Sequence, residues 1–223
     1  MKSILSLSEI IDNYDTFIID QWGVMHDGIN GYPKAIECIN YLHKKDKNLI
    51  IISNSSKRSA SSYNRLPKIG FNPNYFKKVI TSGEMIWNLI NNLDFDKENK
   101  KNCFHIFDKS KEDGIKFRDG LNNINFIENL SDANFILACT PYENTKPIDY
   151  IPLLKESLEY NLTMYCANPD FETVEKNNKS KIFCMGMISE LYKNMGGRVI
   201  IQGKPEIAIS DEATNFLELN KSR

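Results

Sequence analysis

The chain contains no apolar run near the ~20 residues that a membrane-spanning helix requires. Its apolar runs are strand-length, such as Leu49-Ile50-Ile51-Ile52. It also lacks an excess of charge of either sign. The 28 basic and 29 acidic residues leave a net charge of -1, so there is no electrostatic footprint for nucleic acid or an anionic membrane, and neither is expected as a partner. There is no Cys-x-x-Cys pair. Cys38, Cys103, Cys139, Cys166 and Cys184 are an odd number and lie far apart, which argues against a disulfide framework and against a zinc site built from closely spaced ligand pairs. They read as reduced, mostly buried thiols. The stretch Met1 to Ile11 has a single basic residue and meets Ser8 and Glu9 before any apolar segment develops, so it does not read as a signal peptide. These absences together predict a cytoplasmic protein, and no internal repeat suggests a solenoid.

What is present is an ordinary globular composition. With 223 residues, 41% hydrophobic and 26% charged, a fold of this size buries roughly 70% of the surface of the extended chain. One large domain or two small ones fit. Thr16-Phe17-Ile18-Ile19-Asp20 reads as a buried strand closed by a carboxylate, and Asn48-Leu49-Ile50-Ile51-Ile52 as a second one closed by Ser53-Asn54-Ser55-Ser56. Val79-Ile80-Thr81-Ser82 resembles a third. Between them, Pro33 with Ile36, Ile39 and Leu42 predicts a helix, as does the stretch Tyr63 to Leu66 before Pro67 and Gly70. A helix through Met85 to Leu93 follows, then a charged linker or loop from Asp94 to Lys101. Further strands are expected at Cys103–Phe107, Phe135–Cys139 and Leu162–Cys166, with a helix from Ile151 to Tyr160. A helix opening at Gly186 runs to Gly196-Gly197, and Arg198-Val199-Ile200-Ile201 leads into Gly203-Lys204-Pro205 and a last helix. Strands alternating with helices indicate right-handed βαβ units and an α/β class with parallel sheet.

Three polar groups close apolar runs: Asp20 with Gly23, Ser53 with Asn54, and Lys204 in Gly-Lys-Pro. The carboxyl ends of neighbouring parallel strands converge on one edge, so Asp20 and Ser53 are able to share a crevice despite their separation in sequence.

In this order and context the motifs resemble a known family. Phe17-Ile18-Ile19-Asp20-Gln21-Trp22-Gly23-Val24-Met25-His26-Asp27-Gly28 is similar to the first motif of the haloacid dehalogenase superfamily, in the class IIA branch of NagD-like sugar and nucleotide phosphatases. Ile51-Ile52-Ser53-Asn54-Ser55-Ser56 resembles its second motif and Gly203-Lys204-Pro205 its third. Tyr165-Cys166-Ala167-Asn168-Pro169-Asp170 is similar to a cap loop of the branch, as is Gly186-Met187-Ile188 leading to Gly196-Gly197. The resemblance implies a Rossmann-like core with a parallel sheet, formed by residues 1–84 and 185–223, with an α/β C2-type cap inserted over 85–184. It further implies a Mg²⁺-dependent phosphatase-type hydrolase that acts on a small phosphorylated metabolite through an aspartyl phosphate. Asp20 would be the nucleophile and a metal ligand, and the backbone carbonyl of Trp22 a second ligand. Ser53 and Asn54 would bind phosphate, Lys204 would serve both phosphate and Asp20, and Asn168 and Asp170 would face the leaving group from the cap. Substrate identity and a homodimeric state stay open.

The sequence departs from the family pattern twice. Most family phosphatases carry a second aspartate two residues after the nucleophile, to protonate the leaving oxygen and activate water; here that position is Trp22. Indole does neither, and general acid–base help is worth ~10²–10⁴ in rate, so the surviving activity is expected to prefer good leaving groups such as acyl or aryl phosphates. His26 is the other candidate acid nearby. The family's fourth motif, a Gly-Asp followed by another aspartate on the strand beside the first, is expected beyond residue 223, so the resemblance implies a chain that ends before it. The alternatives are a phosphate-ligand-binding or regulatory module with impaired catalysis, and a truncated, inactive fragment.

Overall fold

A computed structural model of the chain describes residues 6–93, 101–174 and 181–221; the expected linker over 94–100 lies outside them. Two parallel sheets organise the chain. The first has three strands in the order β1-β2-β3, with β1 Thr16–Asp20, β2 Asn48–Ser53 and β3 Phe76–Thr81. The second has five in the order β10-β7-β6-β4-β5, built from β4 Lys101–Ile106, β5 Ile124–Ile127, β6 Phe135–Ala138, β7 Thr163–Cys166 and β10 Arg198–Ile201. All the pairings within both sheets are parallel, as the alternation of strands and helices requires. A short antiparallel hairpin, β8 Glu172–Val174 and β9 Lys181–Phe183, stands apart.

Side-chain alternation along the strands divides each sheet between two cores. In β2, Leu49 and Ile51 face a cluster with Ile39 and Leu42 of α1 (Pro33–Lys44) and Leu66 just beyond α2 (Ser59–Arg65). Ile50 faces the opposite side, where it meets Ile209 and Ala213 of α7 (Ile207–Lys221). In β6, Phe135 and Leu137 face Ile86 and Ile90 of α3 (Ser82–Asn91) and Phe117 of α4 (Glu112–Phe117). Ile136 and Ala138 face Leu154 of α5 (Ile151–Glu159) and Ile188 and Tyr192 of α6 (Met185–Asn194). Period-two burial on both faces is the signature of a sheet covered by helices on each side. Each fully buried Leu or Ile contributes about 1.5–3 kcal/mol relative to exposure.

The resemblance implies that residues 185–223 belong with the first sheet's unit; the strand and helices of that segment are shared between the two sheets. β10 pairs with β7 in the second sheet, Val199 opposite Met164 and Ile201 opposite Cys166. The reason is packing. Val199 and Ile201 turn onto the same apolar cluster as Met164 and Cys166, and α6 delivers Ile188 and Tyr192 to it. Only α7 returns to the three-stranded sheet. β5 and the β8–β9 hairpin carry no strong sequence signal because they are short and polar residues, Asn125, Glu172 and Lys181 among them, break their apolar runs.

α6 begins where the backbone is most crowded. The Gly186 amide donates to the Asp170 carbonyl at 3.1 Å, and a Cβ at this position would lie 2.1 Å from the Pro169 oxygen and 2.5 Å from the Asp170 oxygen. A side chain there forces the Pro169-Asp170 loop away from its place. We expect Gly186→Ala to destabilise the protein by about 1–3 kcal/mol, read as a lowered urea midpoint with an unchanged slope.

Candidate active site

Asp20 closes β1 and Ser53 closes β2. The register sets Asp20 beside Ile52 and Ser53 beside Thr81, so the carboxylate and the hydroxyl stand on adjacent strands, one residue apart, at the carboxyl edge of the sheet. Lys204 reaches this edge from the loop between β10 and α7. Its Nζ donates to Asp20 Oδ1 at 2.5 Å, and the backbone N–H of Gln21 donates to the same oxygen at 2.8 Å. The two side chains are 28% and 41% exposed, open enough to meet a ligand. Ser53 is buried, and its Oγ accepts from the Ser55 amide at 3.3 Å, which leaves its own proton available to donate.

Asn54 holds the loops that frame the site. Its Nδ2 donates to Asp170 Oδ1 at 2.8 Å and to the Lys204 carbonyl at 3.0 Å, while its Oδ1 accepts from the Lys204 amide at 2.7 Å. The amide is thereby committed to three protein partners. Gly203 must be glycine for the same approach, since a Cβ there would stand 2.8 Å from Asn54 Oδ1 and 2.8 Å from Pro169 Cγ. Asp170 is held further by its own amide, which donates to Asn168 Oδ1 at 3.1 Å.

These groups line a cavity of about 390 Å³ between the two sheets, a size suited to a small metabolite. Asp20, Trp22, Ser53, Lys57 and Arg65 come from the first unit; Asp113, Thr140, Asn168 and Asp170 come from the second. All of Asp20, Trp22, Ser53, Asn54, Asn168, Asp170 and Lys204, the residues selected from sequence, line it. Lys57, Arg65, Asp113 and Thr140 were not selected. Lys57 and Arg65 are charges on a polar segment with no apolar run beside them, and Asp113 and Thr140 enter the cavity only because the second sheet stands over the first.

Trp22 lies across Gly28, where an added Cβ would be 2.4 Å from its Cη2, and it meets the His26 ring edge-on at 5.3 Å. His26 is buried, and its Nδ1 accepts from the Gly28 amide at 2.9 Å. That fixes the proton of the neutral ring on Nε2. Burial first, then the Arg65 charge, lowers its pKa from 6.5 to about 4 against the opposing pull of Asp27 and Asp20. At neutral pH His26 is therefore uncharged and has no additional proton to give. Cys139, also at the cavity, contacts His105 Nε2 at 3.2 Å. Burial raises its pKa well above 9, so it is a thiol and not a nucleophile.

Cation-carboxylate contacts join the halves. Lys57 Nζ meets Asp113 Oδ2 at 2.6 Å. Arg58 grips Glu84 through Nε at 2.7 Å and Nη2 at 2.9 Å, stacks on Trp87 at 3.8 Å and donates from Nη1 to the Asp119 carbonyl at 3.2 Å. The Trp87 indole donates to that carbonyl as well, at 3.1 Å. Among the described residues, no group of three His, Cys, Asp or Glu is placed to hold a metal ion. The oxygen donors at the strand edge are the Asp20 carboxylate and nearby backbone carbonyls, a hard-donor set of the kind Mg²⁺ takes with waters and phosphate.

A parallel α/β unit gathers an acid, a hydroxyl and a lysine at its carboxyl edge, under a second α/β unit. The model of the haloacid dehalogenase-like hydrolases matches residues 17–116. A crystal structure of a haloacid dehalogenase-like hydrolase from Brucella suis is 28% identical, with a TM-score of 0.84, over 97% of this chain and 76% of that one. The match to the haloacid dehalogenase-like hydrolases thus spans residues 17–116, and the Brucella suis hydrolase shares the fold of nearly the whole chain. Two more distant structures share the fold: one described as a possible sugar phosphatase from Cytophaga hutchinsonii (18% identity, TM-score 0.77, 98% of this chain and 77% of that one) and a 4-nitrophenylphosphatase from Thermotoga maritima (17%, 0.66, 94% and 76%). A curated Caenorhabditis elegans protein described as a NipSnap protein is 36% identical over 69 residues, which is 30% of this chain and 13% of that protein's length.

Burial alone would raise the pKa of Glu84, but hydrogen bonds from Arg58 and from the Ser59 amide, with the Arg58 and Lys78 charges, outweigh it and hold the carboxyl below its ordinary 4.5. A carboxylate lowered in the folded state stabilises above its unfolded pKa, and that contribution fades as the pH falls through the folded value. We expect Glu84→Gln to cost about 1.5–3 kcal/mol at pH 7. The gap between variant and wild type should close in urea titrations taken stepwise below pH 4.5.

Proposed function

We propose that the chain is a phosphatase-type hydrolase in which Asp20 is the nucleophile, acting on a small phosphorylated metabolite. The observation that carries this reading is the 2.5 Å contact of Lys204 Nζ with Asp20 Oδ1 beside Ser53 at the mouth of the cavity. A lysine there orients the carboxylate for attack and offers charge to the incoming phosphoryl oxygens. Asp20 attacks phosphorus, the bond from phosphorus to the leaving oxygen breaks, and the leaving group departs with the bonding pair; water then attacks the aspartyl phosphate to release phosphate and restore Asp20. Ser53 Oγ–H donates to a phosphoryl oxygen throughout. Asn54 acts as a positioning residue, since its amide is occupied in holding Lys204 and Asp170. Asn168 and Asp170 face the leaving group.

Asp20 and the Trp22 carbonyl would hold Mg²⁺, which when bound neutralises charge on the phosphate. Residues 101–201, carrying the second sheet and its helices, form the cap over the site. No helix among the described residues is long and apolar enough to cross a membrane. The proposed setting is action on small molecules in the cytoplasm, with neither nucleic acid nor membrane as partner and a homodimer left open.

A second reading, a phosphate-binding module with little turnover, is favoured by one specific observation. The acid position holds Trp22, and His26 is neutral. The same assay separates the two. With Mg²⁺ we expect phosphate release from 4-nitrophenyl phosphate, whose leaving group needs no acid, with activity abolished in Asp20→Asn and lowered about 10²–10³-fold in Lys204→Met. Activity that survives in Asp20→Asn overturns the proposal, and ligand binding without release favours the second reading. Trp22→Asp should raise the rate on an alkyl phosphate by about 10²–10⁴-fold, measured as kcat against the parent.

A further inference from the structure

Four cations line the cavity: Lys57, Arg65, Lys111 and Lys204. Three of them face a carboxylate, Lys57 with Asp113 at 2.6 Å, Lys111 with Asp108 at 3.1 Å and Lys204 with Asp20 at 2.5 Å. Arg65 differs. At the end of α2, half-buried, it donates through Nη2 to the carbonyl of Gly28, a neutral acceptor, and among the described residues it has no carboxylate partner. A guanidinium carries five N–H donors in a planar fork. One neutral carbonyl leaves both its charge and most of its donors unanswered in a partly enclosed cavity, where an unpaired charge is costly.

Arg65 sits in a particular corner. The Gly28 whose carbonyl it holds is the glycine against which the Trp22 indole lies. Its charge is the second largest influence on His26, after burial. Trp22 therefore forms an apolar wall of the cavity that holds Asp20, and Arg65, bonded to the glycine against which the indole lies, lines the same cavity as an unanswered cation. The 390 Å³ of the cavity exceeds what a phosphoryl group fills, so a leaving group has room in the same space that Trp22 and Arg65 line.

We propose that Arg65 is a specificity-determining residue that binds a carboxylate on the leaving group, which makes the substrate class a phosphomonoester bearing a carboxylate. The proposal rests on the phosphatase reading above. A single guanidinium matches a monoanion in charge and in its two-oxygen geometry. A second phosphate dianion would carry excess negative charge into a cavity that already holds Asp113 and Asp170.

Calorimetric titration with non-hydrolysable phosphonates in the presence of Mg²⁺ tests it. The probes are phenylphosphonate, 3- and 4-phosphonobenzoate and benzene-1,4-diphosphonate. The wild type should bind at least one phosphonobenzoate ~10-fold or more tightly than phenylphosphonate, the gain of a charged hydrogen-bonded pair. Arg65→Gln, which keeps an N–H donor for the Gly28 carbonyl, should lose that preference and bind phenylphosphonate as the wild type does. Equal affinity for all probes in the wild type overturns the Arg65 assignment and leaves the phosphate site standing. A preference that persists in Arg65→Gln overturns it too, as does loss of phenylphosphonate binding in that variant, or tighter binding of the diphosphonate than of either benzoate. Failure of the wild type to bind phenylphosphonate overturns the phosphatase reading, and this assignment with it.

Discussion

The Asn54 side-chain amide is the constraint on which the site depends. Its three hydrogen bonds reach a loop from the end of the chain, through the amide and carbonyl of Lys204, and the loop after β7, through Asp170. Those partners lie 150 and 116 positions away, so one buried side chain closes two very long loops at once. Without it, Lys204 has no fixed backbone from which to reach Asp20. A buried amide deprived of its partners carries the full desolvation penalty of each polar atom, so the network resists partial loosening. The glycine at 203 belongs to the same constraint, because Asn54 and Pro169 occupy the volume a side chain would need.

The cavity takes its electrostatics from the way the two sheets meet. Asp20 and Lys204 face each other from the first unit and the returning loop, while Lys57 reaches across to Asp113 on α4. Arg58 adds a grip on Glu84 and a stack on Trp87, and both it and Trp87 end on the carbonyl of Asp119. Closure of the second unit over the first is thus held by charge and aromatic contacts outside the reacting centre. The place next to Asp20 is filled by an indole and a neutral imidazole, which leaves a site strong in binding and orientation and poor in proton transfer.

The strands that build the floor of the site were legible as near-continuous apolar runs: Thr16 to Asp20 has the expected bounds but is only partly buried, with Ile18 44% exposed, whereas β2 is buried on both faces and extends its expected range by one residue to Ser53. β3 begins three residues earlier than the pattern suggests, since Lys77 and Lys78 break the apolar run while the backbone still pairs with β2. The sheet membership of β10 was not legible at all. Arg198-Val199-Ile200-Ile201 suits either sheet, and only its packing with Met164 and Cys166 decides. Asp20, Ser53 and Lys204 were legible from strand ends and motif order. Asn54's occupation by Lys204 and Asp170 was not, because a turn asparagine and a hub asparagine look alike in sequence. Arg65 and Lys57 carried no signal, because a charge on a polar segment ordinarily faces solvent.

The most direct measurement of the central claim is a rapid acid quench of the protein turning over an acyl phosphate with Mg²⁺, followed by peptide mass analysis. The account expects one phosphoryl group on the carboxylate of Asp20 and none in Asp20→Asn. Phosphate release at full rate with no phosphoryl group trapped on Asp20 at any quench time, or a phosphoryl group on another residue, would contradict it.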